Sequence, residues 1–221
     1  MTLQQQPLRE INDPKAFETA FSVSRETLER LKTYESLLQL WQKTINLIAP
    51  STLDRIWGRH FADSAQIVRL APPNTTTWVD LGSGAGFPGL VVAIMQAENS
   101  KTKVVLVESD SRKAAFLREV ARAVAVPVDI LPLRIEAAAT RASLKRSGVV
   151  SARALAPMPR LLALAHPFCG PQTACIFLKG REAARELQTA EIEWDFESEL
   201  VPSLTDPEGR VVVVKNAQPK A

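Results

Sequence analysis

Residues 78–89 read Trp78-Val79-Asp80-Leu81-Gly82-Ser83-Gly84-Ala85-Gly86-Phe87-Pro88-Gly89. Trp78, Val79 and Leu81 have the character of the end of a buried strand, and Leu90, Val91, Ala93 and Ile94 that of a helix behind it. Between the two, four of the chain's nine glycines crowd together. Such density means that the backbone turns tightly and lets something approach closely. A strand, a glycine turn and a helix N-terminus form a cradle for a nucleotide-like cofactor, because unpaired backbone N–H groups and the positive end of the helix face the turn. The plainer reading is a glycine-rich turn without a ligand, and four glycines behind a buried strand weigh against it.

Outward from this turn the chain alternates. Downstream, strands are expected at 103–108, 127–131, 148–152 and 173–178. Helices are expected at 111–124 and 161–166, with a polar one reaching about 189. Two last strands, 192–201 and 210–215, flank a Pro207-Glu208-Gly209 turn. This order predicts an α/β fold, a mostly parallel sheet with helices on both faces and an antiparallel pair at one edge. Upstream the pattern is helical. Residues 1–13 read as a loose polar lead and Pro14 to Phe21 as a short helix. A longer helix is expected from the N-cap Ser24 to about Ile45, and a third from Ser51, with Asp54 completing a capping box, to about Leu70. Pro72-Pro73-Asn74 is a linker, so the chain divides into a helical N-terminal extension, 1–74, and a cofactor domain, 75–221.

Composition narrows the class. No apolar run approaches the roughly 20 residues that cross a bilayer. Only Cys169 and Cys175 occur, too few for a disulfide framework or a metal cluster. A net charge of +3 and a pI near 9.0 are mildly basic, permitting an anionic partner without demanding one, and nucleic acid would bind a folded basic face. These features point to a cytoplasmic, metal-free protein off the membrane, expected to be a monomer.

Two cofactors fit the cradle. Gly84-x-Gly86-x-x-Gly89 matches the dinucleotide fingerprint, a weak signal by itself. Asp80 followed by Gly82-x-Gly84-x-Gly86 resembles instead the first motif of S-adenosylmethionine methyltransferases, where the carboxylate lies near the methionine end of the cofactor. Glu108, at the end of the second strand, can accept both ribose hydroxyls under either reading. Ile135 and Glu136, after the third strand, fall where an adenine would lie, and Glu136 reads equally as an ordinary glutamate at a helix N-terminus. The reversed strand near the end favours the seven-stranded Rossmann-like class I methyltransferase sheet. Residues 151–154 read Ser-Ala-Arg-Ala, not the Asp-Pro-Pro-Tyr of many exocyclic-amine methyltransferases, and neither cysteine follows a proline as in cytosine-C5 enzymes.

Across residues 25–190 the chain resembles the bacterial 16S ribosomal RNA guanine-N7 methyltransferase family, also known as glucose-inhibited division protein B. The resemblance rests on Asn46-Leu47, His60-Phe61 with Asp63-Ser64, Asp80 through Gly89, and Glu108-Ser109. It continues with Lys113, Phe116-Leu117, Arg134 with Glu136, Arg153-Ala154 and Lys179-Gly180. Ile48, Ala152 and Arg112 depart from the family's usual Thr, Ser and Lys. The resemblance implies S-adenosylmethionine as cofactor, with Gly82, Phe87, Ile135, Glu136 and Arg153 at its site, and 16S ribosomal RNA or the small subunit as partner. Guanine N7 carries a lone pair and no proton, so no general base is required. His60, Asp63 and Ser64, at helical spacing, read either as self-satisfied helix neighbours or as a polar face toward the cofactor. Arg153 and Lys179, at the ends of strands four and five, are candidates for target contact or ordinary surface charge.

Overall fold

The structure is a computed structural model that describes residues 10–98 and 102–220. Of the expected loose lead over residues 1–13, residues 1–9 lie outside the described residues, while Ile11 is buried in the core and Asp13 caps the first helix. Seven strands form one sheet. They are β1 (Thr77–Leu81), β2 (Lys103–Val107), β3 (Asp129–Leu131), β4 (Val149–Arg153), β5 (Ala174–Lys179), β6 (Trp194–Pro202) and β7 (Arg210–Pro219). Their order is β3-β2-β1-β4-β5-β7-β6. The first five run parallel, whereas β7 is antiparallel to both β5 and β6. The last two strands therefore form the expected antiparallel pair, with the later strand inserted beside β5 and β6 left at the edge.

Eight α-helices accompany the sheet among the described residues: α1 (Pro14–Phe21), α2 (Arg25–Trp41), α3 (Asp63–Ala65), α4 (Gly89–Gln96), α5 (Ser111–Ala123), α6 (Ile135–Ala138), α7 (Met158–Ala165) and α8 (Ala183–Ala190). Period-2 alternation sends the strand side chains to two cores. Trp78, Val104, Leu106 and Ile176 join the core beneath α2, α4 and α5, while Val79, Leu81, Val105, Val107 and Phe177 join the one beneath α7 and α8. Leu28, Leu31, Tyr34 and Leu38 line one face of α2 and enter the first core. The N-terminal helices thus share their core with the sheet. Truncating a fully buried leucine such as Leu31 costs about 2–5 kcal/mol.

Two upstream expectations are corrected. The helix begun by Ser24, whose hydroxyl accepts from the Thr27 N–H, ends at Trp41, not near Ile45. There Gln42 Oε1 accepts the Leu47 and Ile48 N–H groups and holds the chain in a turn. The expected continuous helix from Ser51 is broken. It starts at Pro50 without a side-chain cap, so the capping box of Ser51 and Asp54 does not form. A 3-10 stretch, Pro50–Arg55, passes into one turn of π-helix, Trp57–Ala62, then into α3 and a last 3-10 turn, Val68–Leu70. A π turn inserts one residue and re-aims the side chains it carries, and His60 lies within it.

Candidate active site

Asp80 and the glycine turn lie at the carboxyl end of β1. Gly82, Gly84 and Gly86 all have positive φ, +64°, +56° and +95°. At Gly84 a Cβ would meet only the Gly82 carbonyl oxygen, at 3.8 Å, so the space before this turn is open. At Gly89 a Cβ would lie 2.5 Å from both Asp80 Cβ and Leu106 Cδ2, so α4 can start against the sheet only with glycine there. The turn closes on itself through the Gly86 and Phe87 N–H groups, both donating to the Ser83 carbonyl.

Two carboxylates flank the turn and differ in environment. Glu108 is 8% exposed and bridges two loops, accepting from the Gly84 N–H at 2.8 Å and the Asp110 N–H at 2.7 Å. Asp80 is fully buried. The Trp78 indole donates to Ser151 Oγ at 2.8 Å, and the Ser151 hydroxyl donates to Asp80 Oδ1 at 2.6 Å. Burial pushes the Asp80 carboxyl up to about 6, against the hydrogen bonds that favour its anion. The Gly89 amide helps hold that anion, yet Oδ2 has no well-formed hydrogen bond among the described residues.

Beside this turn, beyond the carboxyl ends of β4 and β5, opens a cleft of about 620 Å³. Segment 47–63, the ends of β4 and β5, and the loop joining β6 to β7 supply its walls. Arg153 closes its floor. Its Nη1 donates to the Arg59 carbonyl at 3.1 Å and pairs with Asp63 Oδ2 at 3.4 Å. Its Nη2 lies 2.8 Å from His60 Nδ1, and its guanidinium sits 4.9 Å from the centroid of Phe87. Arginine only donates, so His60 Nδ1 is the acceptor and the proton rests on Nε2. That proton points to Thr52 Oγ1 at 2.8 Å, whose own proton goes to the Ala49 carbonyl at 2.7 Å. Burial, then the charges of Arg153 and Arg59, pull the His60 pKa down to about 3.

The structure brings His60, Asp63, Arg153 and Lys179 to this one cleft. Ser64 goes elsewhere. Its side chain is fully buried and does not line the cleft, whereas those of His60 and Asp63 do. Lys179 is not a free surface cation, since its ammonium pairs with Glu186 at 2.6 Å and donates to the Ala156 carbonyl at 3.0 Å. Glu136 is exposed and pairs with Arg160 at 3.2 Å, and Ile135 opens α6 beside it. Sequence reading missed Thr52, Gln66, Leu155 and Tyr34. Gln66 is buried, takes the Leu204 N–H and donates to Asp63 and Ser203, so it pins the loop between β6 and β7 to the cleft. A glutamine set between the apolar Ala65 and Ile67-Val68 was the one visible signal. Leu155 follows Ala154, a residue at φ +50°, and its Cδ1 would be 2.8 Å from a Cβ on Gly82.

Sheet order, glycine cradle and cleft define the class, a Rossmann-like class I methyltransferase fold. A solved TehB-like S-adenosylmethionine-dependent methyltransferase from Corynebacterium glutamicum has this fold, with a TM-score of 0.55 at 15% identity over 84% of this chain and 98% of that one. A ribosomal RNA small subunit methyltransferase G from Parvibaculum lavamentivorans is 48% identical over 206 residues, 93% of this chain and 90% of the relative. One from Rhodospirillum centenum is 50% identical over 204 residues, 92% and 91%. The family model GidB, rRNA small subunit methyltransferase G, matches residues 27–213, and the chain belongs to that family.

Proposed function

We propose that this protein transfers a methyl group from S-adenosyl-L-methionine to N7 of a guanine in 16S ribosomal RNA of the small subunit. The observation that carries this reading is the state of His60. It is the one imidazole lining the cleft, it is neutral, and both ring nitrogens are already bonded. An acceptor that must lose a proton would call for a free base there, whereas N7 offers an in-plane lone pair. Holding that lone pair in line can supply a large part of the rate. N7 lies on a major-groove edge, which in an A-form helix is too deep and narrow to reach, so the target base is unstacked or in a loop.

The residues at the cradle fit the cofactor. Open space at Gly84, an orphaned oxygen on buried Asp80 and the carboxylate of Glu108 at the end of β2 offer donors and acceptors of the right kind. When bound, the cofactor supplies an electrophilic methyl on a positive sulfur. Gly82, Gly84, Gly86 and Phe87 would hold it, Asp80 would face its ammonium, Glu108 its ribose, and Ile135 and Glu136 its adenine. Arg153, with His60 and Asp63 behind it, borders both cofactor and target. Lys179 fixes the start of α7 through Glu186, which also accepts the Met158 N–H. We take residues 1–74 as the supporting extension, and the protein as a cytoplasmic monomer working without a metal. Transfer of labelled methyl to small subunits or naked 16S RNA, followed by mapping of the base, tests the proposal. Label on an exocyclic amine or on protein would overturn it.

A further inference from the structure

Tyr34 lies on α2, outside the strand-and-helix alternation, yet it touches the centre of the glycine turn. It is fully buried and its hydroxyl donates to the Ala85 carbonyl. Burial raises the Tyr34 pKa well above its usual value, so the phenol keeps its proton and remains a donor. The same hydroxyl occupies the place a Cβ on Gly86 would need. Its ring stacks on Phe87, with centroids 5.4 Å apart and planes 12° apart, and meets Phe61 edge-on at 5.3 Å. Phe87 in turn carries the Arg153 guanidinium at 4.9 Å and the His60 ring at 4.9 Å.

We infer that Tyr34 is a positioning residue for the cofactor, fixing the glycine turn from beneath by holding the Ala85 carbonyl and the Phe87 ring. A turn built on three residues at positive φ has many alternative conformations. A peptide whose carbonyl is tied down on one side presents its neighbours' N–H groups in one orientation on the other. Preorganisation of this kind lowers the ordering cost of binding. The N-terminal extension is then part of the cofactor site without lining it. The inference rests on the cofactor reading proposed above.

The test compares the wild type, Tyr34→Phe and Phe116→Leu by calorimetry with S-adenosylhomocysteine, by thermal unfolding, and by steady-state methylation. Phe116 shares the core with Tyr34, at 6.1 Å between rings, but has no group that can hydrogen-bond the turn's carbonyls, so its truncation controls for lost stability. Tyr34→Phe keeps the stack and loses only the hydroxyl. The expected result is about a tenfold weaker Kd for S-adenosylhomocysteine, with a matching rise in KM for the methyl donor and an unchanged KM for RNA. Phe116→Leu, at an equal or greater loss of Tm, should leave the cofactor Kd within a factor of about two. Equal cofactor affinity in Tyr34→Phe and wild type, or an equal loss in both variants, would overturn the inference. Failure of the wild type to bind S-adenosylhomocysteine would overturn the cofactor reading itself, and with it this one.

Discussion

Thr52, His60 and Arg153 form a line of hydrogen bonds in which each bond has one available direction, and this fixes what His60 can do. With its pKa held near 3 and Nδ1 occupied, His60 is an orienting group for Arg153. His60→Gln offers the same two roles, an acceptor for Arg153 and a donor for Thr52. Its single-turnover rate should fall by less than about a hundredfold, the low end of what general acid–base catalysis contributes, and the pH–rate profile should stay flat through neutrality. A larger loss with RNA binding intact, and an inflection abolished with it, would assign His60 a proton and withdraw the N7 acceptor. His60 and Asp80 also oppose each other in stability. Asp80 is raised from 3.8 to about 6, so its contribution is full below pH 3.8 and is lost as pH rises through 6. That loss is about 3 kcal/mol. His60 is lowered from 6.5 to about 3, so its contribution is full above pH 6.5 and is lost as pH falls towards 3. Urea midpoints between pH 4.5 and 6.5 should therefore vary little in the wild type. Asp80→Asn should leave a protein that weakens on acidification, and His60→Gln one that weakens as pH rises. Identical pH slopes in both variants would refute these assignments.

Two elements carry the site, the turn between β1 and α4 and the broken helical segment 50–70. Gly84→Val puts a branched side chain into the open space of the turn at φ +56°, a conformation that valine resists. Cofactor binding should be lost by more than tenfold while the far-UV circular dichroism is retained, at a cost in stability of about 1–3 kcal/mol. Near-normal affinity in the folded variant would place the cofactor elsewhere. In the second element Gln66 is the pin. Gln66→Leu leaves the Leu204 N–H without its acceptor and Asp63 Oδ1 without one of its donors. Asp63 Oδ1 keeps the Thr205 hydroxyl, and loss of the two part-buried hydrogen bonds costs about 1 kcal/mol each. The loop between β6 and β7 should loosen, so KM for RNA should rise several-fold with the cofactor Kd unchanged. A rise in cofactor Kd alone would show that the loop does not form part of the target cleft.

At the scale of the whole molecule, charge and topology set the remaining behaviour. The chain carries a net charge of +3, and Arg59, Arg181 and Arg210 stand around the cleft. Binding of 16S RNA should weaken by more than tenfold between about 50 and 200 mM salt as counterions are released, while S-adenosylhomocysteine binding should change by less than a factor of about two. RNA binding that is flat with salt would remove the basic face from the proposal. Strand periodicity and glycine density are local signals. The five parallel strands, the reversed strand near the end, and the turn after Asp80 were therefore legible from residue order alone. The helix over residues 50–70 read as one continuous element because its apolar spacing allows it. That spacing contains neither the 3-10 and π turns that break the segment nor the burial of Ser64 beside a cleft lined by His60 and Asp63. Nor does sequence show that Lys179 is neutralised by Glu186, that Arg153 is shared by His60, Asp63 and Phe87, or that Tyr34 reaches Ala85. The last of these spans 51 positions of chain. Such contacts depend on which faces of distant elements meet, and local propensity contains no information about that. What the sequence determined by itself was the sheet, the cradle and the family. What only the tertiary structure decided was which side chains are free to act, because burial and hydrogen-bond partners from remote segments set the charge and the orientation of each.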